Sequence, residues 1–344
     1  MSKIMTMIGK ETKRRFALII NLFAEGNTNV TTDAGLAAEN KTFYDLALID
    51  EASANLVHEQ FGQKRPIPKN GGKVIEFRKF APLTKALTPL TEGVTPEGKS
   101  LDVTTITAEV SQYGDFITMS DMLELTAIDN VVVEALKLLG RQGGATLDTV
   151  VRNILHTGTN VMYCPKIAED GSETAVTSRA TLDNTCRLTV KQVQKAVAKL
   201  RAQNAPPISG KYVATIHPYA AYDLMRDKEW IDAHKYAQPD NLYEGEIGEI
   251  AGVRFVQTTE AKIYENGVFG TLIFGEGAYG NTEIAGGGME TIVKQKGSAG
   301  TADPLDQRSS VGWKGQKTAE ILVEQYMVRV ESKSPDFSEG LAAN

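Results

Sequence analysis

Sulfur and imidazole are scarce in this chain of 344 residues, which has two cysteines, Cys164 and Cys186, and four histidines. Two cysteines build no disulfide framework, and neither stands beside a histidine at a metal-ligand spacing. They are expected as reduced thiols in a reducing compartment. His58, His156, His217 and His234 never recur one helical turn apart, which excludes a zinc helix of the hydrolase kind. No apolar run reaches the roughly 20 residues of a membrane span. Positive charge is also in short supply, with 37 Lys and Arg against 43 Asp and Glu and a net charge of −6. That excludes a protein that grips nucleic acid by its bulk charge, yet suits a container whose wall should not hold its cargo down. One basic stretch stands out locally: Lys10, Lys13, Arg14 and Arg15 precede the apolar run Phe16 to Ala24. Asn21 interrupts that run and no small-residue cleavage site follows, so it does not read as a signal peptide. A basic amphipathic arm, a loosely ordered tail and residues upstream of a start at Met5 or Met7 remain equally open.

What is present is ordinary globular material. With 42% hydrophobic and 23% charged residues, the chain can bury a sizeable core. Its length suits two domains or one with extensions. Leu46, Ile49, Ala52 and Leu56 recur at helical spacing, predicting a helix over 33–60 closed by Pro66 and Pro68. Val74 to Phe80 alternates as a strand, with Ile75 and Phe77 on one face. After a turn-rich stretch from Pro82 to Ser100, Thr104 to Val110 alternates again, with Ile106 and Val110 on its apolar face. These two arms make a long two-stranded excursion. A ribbon of that kind is marginal in water alone, so it packs on its own body or on a neighbour.

A long helix is expected over Asp129 to His156, with Leu136, Leu139, Leu147, Val151 and Leu155 on its buried stripe. Gly140, Gly143 and Gly144 in its middle predict a bend or a close backbone contact. His156 at its end suits an imidazolium favoured by the helix dipole. A mixed α/β half follows. Thr189 and Gln192 have the spacing of a capping box for a helix bearing Val193, Val197 and Leu200. Lys211 to Ile216 reads as a strand, and Pro218 opens the next helix. Val253 to Thr258, Val268 to Phe274 and Ile321 to Val330 read as further strands, with glycine-dense loops over Gly275 to Gly315.

The sharpest enzyme-like signal is Gly275-Glu276-Gly277-Ala278-Tyr279-Gly280 after a strand, a dinucleotide-binding glycine pattern. That chemistry needs a helix to start there, and Gly286, Gly287 and Gly288 argue for turns instead. Glu244, Glu246 and Glu249 read as solvated loop carboxylates. No nucleophile elbow or phosphate-loop lysine pattern occurs. The residues offer no catalytic constellation and call for no cofactor and no metal. Composition and periodicity stop at a mixed α/β chain in two parts that assembles.

Several phrases go further. Thr31-Thr32-Asp33-Ala34-Gly35-Leu36, Gly72-Lys73-Val74-Ile75-Glu76-Phe77-Arg78, Leu90-Thr91-Glu92-Gly93-Val94-Thr95-Pro96 and Gly248 to Val256 come in this order. Ala302-Asp303-Pro304-Leu305-Asp306-Gln307-Arg308 with Val311-Gly312-Trp313-Lys314 closes the series. Together they resemble the tailed-phage major capsid proteins related to that of phage N-four, over about Asn21 to Ser334. The resemblance implies an α+β, HK-ninety-seven-type capsid fold with five parts. Residues 1–65 would be an N-terminal arm and helix, and 66–113 an extended loop. Residues 114–187 would be a peripheral domain with a spine helix, 188–285 an axial domain, and 286–344 return strands of the peripheral domain with a C-terminal tail.

It implies a structural protein and no enzyme. Such a coat protein self-assembles into hexamers and pentamers of an icosahedral virion shell around double-stranded DNA, bound without sequence specificity. It is built in the bacterial host cytoplasm, without a membrane. Scaffolding, portal and decoration proteins are the implied partners besides itself. Ile75, Phe77, Glu92, Glu97, Lys99, Ile106 and Val110 are then candidates for contact between subunits, and Lys13, Arg14 and Arg15 for the lumen or a neighbour. An encapsulin-like compartment of the same fold, holding protein cargo, is the alternative within the architecture. A nucleotide-binding α/β enzyme is the alternative outside it.

Overall fold

The computed structural model describes residues 48, 56–80, 83–90, 92–95, 98–127, 131–168, 170–237, 248–285, 287–298 and 303–344. The predicted helix over 33–60 lies mostly outside them. Leu48 is helical and buried, whereas residues 56–60 run as coil and turn, so the helix does not reach Gln60.

The strands are β1 (Gln63–Lys64), β2 (Val74–Phe80), β3 (Val103–Glu109), β4 (Ser111–Ser120), β5 (Val161–Tyr163), β6 (Lys166–Ile167), β7 (Glu173–Thr174) and β8 (Tyr212–Ile216). They continue with β9 (Glu249–Ile250), β10 (Val253–Gln257), β11 (Ile263–Tyr264), β12 (Val268–Phe274), β13 (Tyr279–Thr282), β14 (Glu290–Lys294), β15 (Arg308–Ile321) and β16 (Met327–Lys333). The helices are α1 (Asp121–Thr126), α2 (Val131–Leu155), α3 (Val190–Ala202), α4 (Pro218–Met225) and α5 (Lys228–Ala237).

One sheet is organised on the 14-residue β15. Its partner β4 runs antiparallel from Arg308↔Ser120 to Lys317↔Ser111. Its other flank takes β14 over Ser310 to Lys314, its last residues, Thr318 to Ile321, pair with β13, and β1 joins β13 in parallel. A second sheet runs β5-β16-β12-β8-β10-β9, with β11 also on β12. Its β8–β10 pair is parallel, with α4 and α5 in the crossover, as parallel pairing requires. β12 and β8 are buried at every position, the mark of a strand covered on both faces.

The glycine-rich stretch from Gly275 to Gly315, expected as loops, holds β13, β14 and the first half of β15. The late strand expected over Ile321 to Val330 is two strands. β15 ends at Ile321, a 3-10 turn spans Glu324–Tyr326, and β16 begins at Met327. The turn carries the chain from one sheet into the other. β13, inside the expected axial segment, therefore lies in the first sheet. β16, expected with the returning peripheral strands, pairs with β12 in the second.

Helix α2 buries the predicted stripe of Leu136, Leu139, Leu147, Val151 and Leu155, with Gly140, Gly143 and Gly144 among them. The glycines serve a close contact. A Cβ on Gly143 would stand 2.4 Å from Met289 Cε and 3.0 Å from the Trp313 ring of β15. The capping box at Thr189 does not form: that residue is the N-cap of α3, but its side chain makes no capping bond. Asp227 Oδ2 instead accepts from Val190 N–H at 2.8 Å, and Gln192 is turned into the interior. Pro218 opens α4 as expected, and His217 is its N-cap, accepting from Tyr219 N–H at 3.2 Å. His156 is not the imidazolium the dipole argument called for. It is buried, with Nδ1 2.9 Å from the Tyr264 hydroxyl, and burial first, then the nearby cations, hold its pKa well below the usual value. Desolvation of a cation outweighs the dipole.

Candidate assembly surfaces

The segment from His58 to Ile67 is pinned before the ribbon leaves the body. His58 N–H donates to Asp148 Oδ1 at 2.7 Å and its Nδ1 lies 2.7 Å from Oδ2, both side chains fully buried. The Tyr279 hydroxyl donates to the His58 carbonyl at 2.5 Å, and Asn281 Nδ2 to that of Glu59 at 2.8 Å. Lys317, buried on β15, reaches Glu59 at 2.5 Å and Glu283 at 3.4 Å. Backbone bonds from Arg65 N–H to Asn281 and from Ile67 N–H to Glu283 continue the attachment. Buried polar and charged groups of this kind cost free energy unless paired; Asp148 and Lys317 each have a partner here, while the far ring nitrogen of His58, Nε2, is buried without one. The arrangement fixes where the excursion starts.

The ribbon itself is the β2–β3 pair, in register from Val74↔Glu109 to Phe80↔Val103. Phe77 and Val110, two of the candidates for contact between subunits, are 3% and 6% exposed. The cause for Phe77 is Gly280 of β13, where an added Cβ would lie 3.0 Å from the Phe77 ring. The bare glycine backbone lets the ring settle on the first sheet, and Arg65 lies 5.8 Å from its centroid. Neither Phe77 nor Val110 is left free for a neighbour. Ile75 and Ile106 are half-buried on the same face.

Beyond the paired arms the excursion is open. Glu92 and Lys99 are exposed, and Lys99 Nζ donates to the Thr84 carbonyl at 2.8 Å and its hydroxyl at 2.5 Å, tying the two sides together. Glu97, Lys13, Arg14 and Arg15 lie outside the described residues. Sequence reasoning missed the apolar residues of the tip: Leu83, Leu87, Leu90, Val94 and Leu101 are 59–82% exposed. Their signal was available as leucines and a valine in a proline- and glycine-rich stretch with no periodicity that could bury them.

A second apolar surface was also missed. Ser120 caps α1, its Oγ accepting from Leu123 N–H at 3.3 Å, and no residue of this short helix is buried. Glu124 is turned to the sheet, bonded to Lys296 at 2.8 Å and to Ser309, and those bonds lower its pKa. Met122 and Leu125 face outward, 62% and 76% exposed, with Phe116 of β4 at 68%. Leu305, also exposed, lies two residues before Gln307, whose carbonyl accepts from Asp121 N–H. Scattered apolar residues need no account, but Met122 and Leu125, exposed one turn apart on the same helix, are of the kind that marks an interaction surface.

The glycine pattern at Gly275 to Gly280 leads into the strand β13 where dinucleotide binding needs a helix N-terminus. A cleft of about 380 Å³ beside that turn has Glu276 as its only charged lining group among the described residues, the wrong sign for a pyrophosphate. Cys164 and Cys186 are buried thiols, the first with its pKa pushed up by burial. Among the described residues no group of His, Cys, Asp and Glu has the makings of a metal site, and no helix is long and apolar enough to cross a membrane.

Residues 120–277 match the phage capsid protein family. No curated protein matches the sequence. The fold is similar to the capsid structure of cyanophage P-SCSP1u, at 14% identity over 81% of this chain and 88% of that one, with a TM-score of 0.64. The capsid of Ralstonia phage GP4 is similar at 13% identity, 80% and 87% coverage and a TM-score of 0.61. The capsid subunit of cyanophage Pam1 is similar at 14% identity, 82% and 92% coverage and a TM-score of 0.59. The family match through residues 120–277, with a capsid architecture over most of the chain's length, gives the chain the HK-ninety-seven-type fold of phage capsid proteins.

Proposed function

We propose that the chain is the repeating coat subunit of a tailed-phage head, forming hexamers and pentamers of an icosahedral shell around double-stranded DNA. The observation that carries this is the ribbon: its root is fixed by the buried His58–Asp148 and Lys317–Glu59 contacts, while its tip holds apolar side chains that the described residues leave exposed. Burying one such side chain is worth roughly 1.5–3 kcal/mol, and an adjacent subunit supplies the missing layer. Ile75, Ile106, Glu92 and Lys99 contribute at its margin. The shell closes because many modest contacts act together. Its acidic balance leaves packaged DNA mobile and read without sequence preference. Assembly takes place in the host cytoplasm, with scaffolding, portal and decoration proteins as further partners.

The test is the purified protein alone, by light scattering and electron microscopy. Closed particles or capsomer-sized rings are expected. A species that stays monomeric across salt and concentration would overturn the proposal, and particles from infected cells that hold a protein cargo in place of a genome would favour the encapsulin-like alternative.

A further inference from the structure

One stretch of this acidic chain holds no acid at all. Between Asp183 and Asp223 there are six Lys and Arg and neither Asp nor Glu. Four of the six fall on α3. The apolar side of that helix, Val193, Ala196, Val197 and Leu200, is sunk in the core of the second sheet. Its outer side carries Lys191, Lys195 and Lys199, four residues apart and so on one face, with about 6 Å of axis between each. Gln194 and Ala198, exposed among them, are uncharged. Like charges one turn apart destabilise a helix, so the row is held at a cost.

The surroundings do not cancel it. Glu173 of β7 meets the start of the row, bonded to Lys191 at 2.7 Å and to Lys195 at 3.2 Å. Lys199 and Arg201 have no ion pair among the described residues. Arg201 reaches over the turn before β10, its Nη2 3.4 Å from where a Cβ on Gly252 would stand. Arg254, two residues along and on the same side of an extended chain, is exposed and also has no ion pair there. Lys211, the next cation in the sequence, is answered by Glu249. Five cations less Glu173 leave four positive charges along α3 and off its end. Other exposed helix faces mix their signs. On α2 Lys137 is paired with Glu134, and α5 exposes Lys228 beside Glu229 and Asp232.

A row of one sign suits a partner that presents a regular row of the other. A nucleic-acid duplex does so, with one negative charge per about 1.7 Å of axis. Resting on the capsid reading above, we infer that the outer face of α3, continued by Arg201 and Arg254, is the surface on which the subunit meets the phosphate backbone of packaged double-stranded DNA. Helix α3 has no aromatic side chain to stack a base, so the contact carries no sequence preference. Few charges are engaged, and the grip is weak and sensitive to salt. The DNA is placed against the wall without being held fast.

The test is duplex binding by the full-length chain, kept below the concentration at which sedimentation velocity shows closed particles. Fluorescence anisotropy follows a labelled duplex of about 30 base pairs from roughly 0.05 to 0.2 M NaCl. Affinity is expected to fall with about the 3.6 power of salt, 0.9 for each of four phosphates. Lys195→Gln, Lys199→Gln and Arg201→Gln together should cut that exponent by about 2.7 and weaken binding at the lowest salt by about tenfold or more. Two comparison sets should bind like the parent. One keeps the charge, as Lys195→Arg, Lys199→Arg and Arg201→Lys. The other, Lys69→Gln, Lys73→Gln and Lys85→Gln, removes the same charge from exposed positions elsewhere. A parent that does not bind, a folded glutamine variant with the parent's exponent, or a comparison set that loses as much as that variant would overturn the inference and leave the capsid reading standing. So would a glutamine variant that binds normally but no longer forms particles, which would assign the face to a second copy. Circular dichroism checks each fold. If the triple variant misfolds, Lys199→Gln and Arg201→Gln carry the test singly, each lowering the exponent by about 0.9. A parent that binds the duplex through α3 yet never assembles would overturn the capsid reading and keep the surface.

Discussion

Single residues in this subunit carry charge into places where charge is expensive. Glu331 is fully buried and accepts from Arg179 Nε and Nη2 at 2.7 and 2.6 Å and from Arg329 Nε at 2.9 Å. Asp148 is fully buried against His58. Removing one member of such a pair strands the other, at a cost of about 3–5 kcal/mol. Asp148→Ala should therefore lower the denaturation midpoint sharply and speed hydrogen exchange in residues 58–67. Equal loss of protection throughout the chain would show that the pair does not act on the ribbon's root. Asp223 is a different case. It is buried on α4 and has no cation close enough to balance the burial, which pushes its pKa up to about 6 from 3.8. A carboxyl with a raised folded-state pKa binds its proton more tightly in the folded state. Its contribution is full below pH 3.8, where both states are protonated, and is lost as pH rises towards 6, to the extent of roughly 3 kcal/mol. Asp223→Asn should leave stability unchanged near pH 4 and raise it by up to that amount above pH 6.5. Thermal melts across this range check it, and a stabilisation independent of pH would refute the assignment.

At the scale of elements, the contact between α2 and β15 decides how the first sheet is built, and glycine decides the contact. In an isolated helix Gly143→Ala would gain about 1 kcal/mol. Here the new methyl meets Met289 Cε, which can swing away, and the Trp313 ring, which is 3% exposed and cannot. Overpacking of that kind costs about 1–3 kcal/mol, so the variant should be less stable by chemical denaturation. Adding Met289→Ala should recover part of the loss. The helix and its glycines were legible in the sequence because a 25-residue apolar stripe at helical spacing admits one reading. The same holds for β2, β3 and β12, whose patterns are short and clean. The sheet around β15 was not legible. Glycines at 312 and 315 look like loop residues in one dimension, yet on the strand they make room for Phe116 and Leu147. The cap of α3 was misread because the group that holds it, Asp227, lies 37 residues away. Of the contact surfaces, the sequence exposed the ribbon and its arms. It could not tell that Phe77 is buried on Gly280, because that packing joins residues about 200 positions apart.

The whole molecule divides between a body that buries the core and an excursion whose tip lies exposed. The body holds both sheets and the buried ion pairs, and the paired part of the ribbon ends on it through Phe77 and Val110. The tip beyond Phe80 and Val103 adds no strand pairing to the body and keeps its leucines in water. Leaving those leucines exposed costs the isolated subunit solubility and gives it no stability, which is sensible only if they are covered later. Removing Leu87 to Leu101 should therefore leave the melting temperature within a few degrees of the parent, since the lost residues bury little. Sedimentation velocity of the same deletion should show no closed particles, because the apolar contacts and Lys99 go with the segment. Normal particles from the folded deletion would mean the tip is dispensable. A deletion that fails to fold would mean the ribbon is part of the body, contrary to the burial of its root and the exposure of its end.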